Sequence, residues 1–186
     1  FTNVVFEVED GKLEITPLEV TVKITGNSDS KVYTGSEQKV EGYTVSTGTE
    51  LYTEDDFSFS GEAVAKGTDV GTHPMGLTAE QFTNKEENAK NFKVTFDVTD
   101  GQLVITPVDA VIVKIKGNTA SVVYNGEERT VTGYEVTDIS NAQYKASDVA
   151  LKEGKEAKAS GTNVGTYEMG LTAADFENKN ANFTNV

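Results

Sequence analysis

The sequence predicts an all-β protein made of two similar units of about 90 residues each. Short runs in which apolar and polar residues alternate are separated by Asp-Gly, Thr-Gly and Asn-Gly pairs. Thr, Val, Gly, Asp and Asn are abundant, as many short strands joined by tight turns require. The stretch at residues 67–79 also recurs almost unchanged at residues 161–173, and a sequence that repeats its turn residues in this way is typical of a tandem array.

Composition excludes several classes of function. The 186 residues include 30 acidic and 16 basic side chains, a formal net charge of −14, so nucleic acid and anionic membranes are not expected as partners. No run of 18 apolar residues and no charged-then-apolar N-terminus is present, which predicts neither a membrane span nor a signal peptide in this sequence. Cysteine is absent, so core packing alone must hold each unit.

The first predicted element is a β-hairpin at residues 1–17. Val4, Phe6 and Val8 alternate with polar residues, as do Leu13 and Ile15, which places these side chains on one face of two strands. The Asp-Gly pair between the strands favours a type I′ turn. Residues 92–107 repeat this pattern around Asp100-Gly101, and we expect a second hairpin there.

The following elements are predicted in pairs, mostly at an offset of 91 residues. Residues 20–24 and 111–115 each form a strand, with Lys23 and Lys114 on its wetter face. Thr-Gly and Asn-Gly mark turns at Gly35 and Gly126. A later glycine inside a strand in each copy indicates a bulge or a close backbone approach (Gly42 and Gly133).

The remaining elements are two exposed loops, two strands and two helical turns. Unequal lengths between residues 59–63 and 151–157 indicate surface loops. The repeated stretch supplies a strand that ends near Leu77 or Leu171. Thr78 with Gln81, and Thr172 with Asp175, have the spacing of a helix N-cap and its N3 partner, so we expect a short helical turn in each unit.

We favour units at residues 18–107 and 108–186, which makes residues 1–17 the closing hairpin of a preceding repeat. The alternative is a unit from residue 1 to about residue 91, with a boundary at residues 85–90. In the favoured division the second unit lacks its own closing hairpin. Residues 183–186 are identical to residues 1–4, so we expect the sequence to belong to a longer array. The missing hairpin predicts head-to-tail self-association through residues 1–17 of a neighbouring copy.

The order of these motifs resembles the tandem YDG and MBG-type repeats of large bacterial surface proteins, over essentially the whole sequence. The residues that carry the resemblance are Tyr33, Gly35, Gly42, Tyr43, Gly67, Val70, Gly71, Asn91, Phe92, Asp100, Gly101, Leu103 and Ile105 in the first copy, and Tyr124, Gly126, Gly133, Tyr134, Gly161, Val164, Gly165, Asn182 and Phe183 in the second. Thr34 and Asn125 stand where the family usually has Asp. The resemblance implies immunoglobulin-like or related β-sandwich units.

No catalytic residue, metal site or cofactor is predicted. With no cysteine and one histidine, zinc sites and Ser–His–Asp triads are excluded, and the position equivalent to His73 holds Tyr167. Calcium remains an open alternative at residues 54–56, 97–100 or 9–10, and so does a glycosidase carboxylate pair. A Lys–Asn cross-link at Lys23 or Lys114 is a further alternative, although strand alternation directs both side chains away from the core.

The tyrosines are the candidate ligand-binding residues. They could stack on a carbohydrate, although packing within the sheets is the simpler interpretation (Tyr33, Tyr43, Tyr124 and Tyr134). The expected function is a stalk or spacer in an extracellular, cell-wall-anchored bacterial surface protein or adhesin, which holds a distal binding region away from the cell. Its nearest partners would be neighbouring repeats of the same chain. The alternative is a module that binds a host glycan, mucin or matrix protein with avidity.

Overall fold

A computed structural model describes residues 2–186 of the chain. The fold is all-β and sandwich-like, which confirms the predicted class, whereas its division into two repeats stays a prediction. The strands are β1 Leu18–Gly26, β2 Asp29–Val32, β3 Gln38–Glu41, β4 Tyr43–Ser46, β5 Phe57–Phe59, β6 Val64–Gly67, β7 Gly71–Pro74, β8 Phe82–Asn84, β9 Phe92–Thr99, β10 Gln102–Thr106, β11 Val113–Gly117, β12 Arg129–Thr132, β13 Tyr134–Ile139, β14 Val149–Leu151, β15 Lys158–Gly161 and β16 Phe176–Asn178.

Helical structure among these residues is confined to 3-10 turns of three residues each. They lie at Glu54–Asp56, Ala79–Gln81, Glu86–Asn88, Ala146–Asp148 and Ala173–Asp175. Two of them are the predicted turns, which begin after the caps Thr78 and Thr172. The described chain contains no helix of the length and apolarity needed to cross a membrane.

The chain divides into two compact units that do not follow the predicted repeats. Unit 1 contains the chain up to Asn27 together with Glu41–Val64 and Met75–Gly101. Its main sheet has the order β4-β1-β9, with β1 antiparallel to β4 and parallel to β9. Alternation along β1 buries Val20, Val22 and Ile24 and leaves Lys23 exposed, as predicted.

Unit 2 contains Ser28–Val40, Ala65–Pro74 and Gln102–Val186. In one of its sheets β10 lies between β2, to which it is parallel, and β7, to which it is antiparallel. Leu103 and Ile105 of β10 are almost completely buried. A second cluster of buried residues is formed by Val111, Tyr144, Val149 and Phe183.

The same three strand pairs occur twice along the chain. The pairs β1–β4, β3–β6 and β5–β8 correspond to β11–β13, β12–β15 and β14–β16. The second predicted strand at residues 111–115 is therefore observed, two residues further on, at Val113–Gly117. The loops at residues 60–63 and 152–157 contain no strand, in agreement with their unequal lengths.

The hairpin predicted at residues 92–107 is wrong. Both strands exist, but β9 pairs with β1 in one sheet and β10 pairs with β2 and β7 in another. Gly101 does not adopt positive φ, so Asp100-Gly101 is a corner and not a type I′ turn. The Asp100 carboxylate instead accepts the backbone N–H groups of Gly76 at 3.0 Å and Leu77 at 2.8 Å. The sequence correctly predicted two strands separated by a turn at Asp100-Gly101. It did not predict their pairing, because each strand pairs with strands that are distant in the sequence.

Two further local predictions also differ from the structure. Residues 2–17 contain no strand and their side chains are exposed, so no hairpin is formed there. Their assignment to a preceding repeat stays a prediction. The strand predicted to end near Leu171 is absent as well, whereas β7 is present at the equivalent place in the first copy. In unit 2 β7 pairs with β10, and no described residues provide such a partner beside residues 165–168.

The predicted turn glycines are confirmed. Gly35 and Gly126 adopt φ values of 73° and 81° at the turns where they were expected. Gly42 and Gly133 lie between two strands with φ values of 87° and 88°. At each of them an asparagine side-chain amide approaches closely and donates to the preceding carbonyl oxygen, whereas the prediction was a bulge or a close approach of backbone.

Candidate functional site

Two of the four candidate tyrosines are packed against aromatic side chains. Tyr43 is half-buried and makes edge contacts with Phe59 and Phe82, at ring-centroid distances of 5.3 and 5.4 Å. The equivalent Tyr134 is half-buried against Phe176 at 5.0 Å. Burial raises the pKa of Tyr43, and the nearby Glu54 carboxylate adds to this effect. Each ring therefore takes part in aromatic packing within its own unit.

The other pair of candidate tyrosines differs between the two copies. Tyr33 is half-buried in unit 2, where its ring meets that of Phe183 edge-on at 5.5 Å. Its backbone N–H donates to the carbonyl of Thr106. Tyr124 is 61% exposed. The four residues therefore do not form an exposed aromatic patch repeated at equivalent places, and ligand binding by them stays a prediction.

Two other tyrosines, which were not among the candidate ligand-binding residues, are buried in the cores of the two units. Tyr52 and Tyr144 are 0% and 1% exposed. The Tyr52 hydroxyl lies 2.9 Å from Asn84 Oδ1, and the Tyr144 hydroxyl lies 3.0 Å from Asn178 Oδ1. Burial raises the pKa of both phenols. The sequence did contain a signal for these buried tyrosines: they align between the two copies, and each is followed by a repeated Phe-x-Asn.

His73 and Tyr167 make equivalent contacts in the two copies. His73 Nε2 lies 2.8 Å from the carbonyl oxygen of Asp69, and the Tyr167 hydroxyl donates to the carbonyl oxygen of Asn163 at 3.1 Å. Each ring covers a glycine so closely that an added Cβ would lie 2.4 Å from His73 (at Gly67) or 2.2 Å from Tyr167 (at Gly161). An aromatic ring over glycine explains why histidine and tyrosine are interchangeable at this position.

Several carboxylates have defined structural partners. Asp175 accepts from the backbone and hydroxyl of Thr172 at 2.8 Å each, and it pairs with Lys155 at 2.6 Å. The lysine contact first, and then the Thr172 donors, lower the pKa of Asp175 to about 2. Asp56 accepts in the same way from Thr53, and these bonds lower its pKa. Residues 2–186 contain no cluster of three or more potential metal ligands.

Residues of both predicted repeats meet within unit 2. Asn182 Oδ1 accepts the backbone N–H of Val70 at 2.7 Å, and Asn182 Nδ2 donates to Asp69 Oδ1 at 3.0 Å. Phe183 is buried between Tyr33 and Tyr144, at 5.5 and 5.2 Å. We call Asp69, Val70, Tyr33, Asn182 and Phe183 the junction. It combines an amide that uses both its donor and its acceptor with a buried aromatic contact.

The junction and the repeated strand pairs can be compared with known families. Residues 20–107 match the MBG domain. This match supports an MBG-type repeat over that part of the chain. The MBG domain is a repeat domain of the extracellular type, found in surface proteins. Searches of the curated proteins and of the solved structures found no match.

Proposed function

We propose that this chain is a spacer made of two MBG-type repeats in an extracellular bacterial surface protein or adhesin. In this role it carries no catalytic activity and needs no cofactor. It holds a distal binding region away from a cell wall to which the parent protein is anchored. Its partners are the neighbouring repeats of the same chain, and neither nucleic acid nor membrane is among them.

The junction is the observation that carries this proposal. A spacer must resist bending between its repeats, and a linker without contacts would let them move independently. Asn182 and Phe183 of the second predicted repeat bind Asp69, Val70 and Tyr33 of the first. The lack of an equivalent pair of exposed tyrosines also supports a spacer over a binding module.

The test is a distance measurement between one spin label on each predicted repeat. Because the chain has no cysteine, Glu37→Cys and Glu153→Cys give two unique labelling sites, both exposed. We expect a narrow distance distribution that Asn182→Ala broadens, since the change removes both junction hydrogen bonds. Asn91→Ala is the matched control, because the Asn91 side chain makes no hydrogen bond within the described residues.

A broad distribution in the unchanged chain would contradict the spacer proposal. The rival is tested by binding of the chain to a panel of glycans, mucins and matrix proteins, with and without calcium. Reproducible binding that Tyr124→Ala abolishes would favour a binding module.

A further inference from the structure

We propose that β9 is the interface through which two copies of this chain form a symmetric dimer. The β9 strand of one copy lies antiparallel to the β9 strand of the other, which joins the two β4-β1-β9 sheets into one continuous sheet. The surface needed for this pairing belongs entirely to unit 1. The proposal goes beyond the spacer role and does not depend on it.

β9 is an edge strand in the middle of the chain. Within residues 2–186 it pairs with β1 on one side and with no strand on the other. The apolar residues on its inner face are only half-buried (Phe92, Val94, Phe96 and Val98). Their neighbours on the inner face of β1 are almost completely buried (Val20, Val22 and Ile24). An unpaired edge of eight residues that leaves apolar side chains half-exposed is a surface on which another strand can pair.

The backbone groups on the outer edge of β9 belong to these same inner-face residues. The backbone N–H of Leu18 donates to the carbonyl oxygen of Asn91 at 2.9 Å, so the backbone of Asn91 faces β1. Successive residues of a strand direct their N–H and C=O groups to opposite edges, so every second residue after Asn91 also faces β1. The four inner-face residues therefore face outward. In a new antiparallel ladder they form the hydrogen-bonded pairs, and the residues between them form the non-hydrogen-bonded pairs.

Charge selects one register for this ladder. A register must pair residues of the same face, because a shift by one residue would mix the apolar and polar faces. When Thr95 lies opposite Thr95 of the second copy, Lys93 lies opposite Asp97 on both sides of the twofold axis. The next allowed registers in either direction place both charges opposite neutral residues. The registers after those place Lys93 opposite Lys93, or Asp97 opposite Asp97, which is unfavourable.

The selected register also extends the charge pattern that already exists within each sheet. Lys93 pairs with Glu19 of β1 at 2.8 Å, and Lys23 of β1 occupies the position beside Asp97. Across the dimer each row then runs from Glu19 to Lys93, and on to Asp97 and Lys23 of the second copy, with alternating sign. The Lys93 ammonium is largely exposed and has three N–H donors, so it can serve both neighbouring carboxylates. Every charged side chain on the outer face of β1 and β9 thus has an opposite charge beside it.

The inner face of the ladder is apolar. In the same register Val94 lies opposite Phe96 of the second copy, and Phe92 lies opposite Val98. An aromatic residue opposite a β-branched residue is a favourable cross-strand pair. The pairing also removes the exposed parts of these side chains from water, which supplies the driving force for association.

Disulfide cross-linking at the twofold axis tests the register on the full chain. The chain has no cysteine, so Thr95→Cys introduces a single thiol per copy. In a non-hydrogen-bonded antiparallel pair the two Cα atoms lie ~4.5 Å apart, within the range of a disulfide. We expect this variant to form a covalent dimer in a glutathione redox buffer. Thr21→Cys is the matched control, because Thr21 is an exposed threonine beside Thr95 on β1, and three strand spacings of ~14 Å in total separate its two copies in the dimer.

Sedimentation velocity of charge variants tests the pairs between the two copies. Lys93→Asp places carboxylates opposite each other and Asp97→Lys places ammonium groups opposite each other, so each variant alone is expected to raise the dissociation constant of the dimer at least ~tenfold. Mixed in equal amounts, the two variants restore opposite charges at both positions, and we expect a heterodimer. Lys66→Asp is the matched control, because it changes the net charge as Lys93→Asp does but lies at an exposed position of β6.

The unchanged chain is expected to reach the mass of a dimer and to stay there as concentration rises, because a twofold interface uses the same strand edge of both copies. A chain that stays monomeric at high concentration overturns the proposal. Equal cross-linking of Thr95→Cys and Thr21→Cys also overturns it, since the thiols would then meet by random collision. A mixture of the two charge variants that forms no heterodimer overturns it as well.

Discussion

Gly101→Ala is expected to destabilise unit 1 by ~3 kcal/mol, because the corner at Asp100-Gly101 has no room for a side chain. A Cβ on Gly101 would lie 2.3 Å from the carbonyl oxygen of Asn27 and 2.7 Å from the carbonyl carbon of Gly26. Both neighbours are backbone atoms, so no rotamer change relieves the overlap. The two chain segments would have to separate, which places the change at the upper end of the range for overpacking.

Two variants separate this explanation from the type I′ turn that the sequence suggested. Gly11→Ala changes the equivalent Asp-Gly pair, where no atom lies within 4 Å of an added Cβ, and should alter stability by no more than about 0.5 kcal/mol. Gly101→Asn should be as harmful as Gly101→Ala, since the obstacle is volume. In a type I′ turn asparagine is tolerated because it adopts positive φ.

Urea denaturation followed by circular dichroism measures the effect. With a slope of about 1–3 kcal/mol per molar urea, a loss of ~3 kcal/mol lowers the midpoint by about 1–3 M. Hydrogen exchange of the β1 and β9 amides then assigns the loss to unit 1. A nearly neutral Gly101→Asn, or a loss for Gly101→Ala no larger than that for Gly11→Ala, would refute the close approach on which this reasoning depends.

Two further predictions concern buried polar contacts. Tyr144→Phe should lower the free energy of unfolding by about 0.5–1.5 kcal/mol, because the buried hydroxyl loses its contacts with the carbonyl oxygen of Asp148 and with Asn178 Oδ1. Tyr124→Phe at an exposed ring should change it little, and a thermal melt of each variant shows the difference. The low pKa of Asp175, about 2, means that its contribution to stability is fully present above pH ~4 and is lost as pH falls toward 2. Asp175→Asn should therefore flatten the stability profile in this acid range, and an unchanged profile would show that the bonds of the Asp175 carboxylate to Lys155 and Thr172 do not stabilise the fold.

Much of the fold followed from local patterns in the sequence. The period-two alternation of Val20, Val22 and Ile24 predicted which side chains of β1 are buried, because a strand alternates its faces whatever its neighbours are. The capping pairs that begin at Thr78 and Thr172 predicted two short helical turns, which the structure shows as 3-10 turns, since the hydrogen bonds involved join residues only three apart. Predictions of this kind depend on nearby residues alone.

The buried tyrosines and the junction were harder to predict from the sequence. The four candidate tyrosines were chosen because they recur, but recurrence does not separate a buried ring from an exposed one. Tyr52 and Tyr144 recur as well, and the asparagines that bond their hydroxyls, Asn84 and Asn178, lie 32 and 34 residues further along the chain. The junction was missed for a related reason. Asn182 has an equivalent in Asn91, and only the three-dimensional structure shows that Asn182 contacts Val70.

The two copies of the repeated stretch show what decides strand formation in this chain. Residues 71–74 form β7, yet residues 165–168 form no strand, although both segments come directly after a Gly-Thr-x-Val sequence. The difference lies in the neighbour: Thr72 and His73 pair with Val104 and Leu103 of β10, and residues 165–168 have no such partner among residues 2–186. A segment with strand propensity forms a strand here only where a neighbouring strand pairs with it. An extended backbone without a neighbour leaves its N–H and C=O groups without hydrogen-bond partners in a sheet.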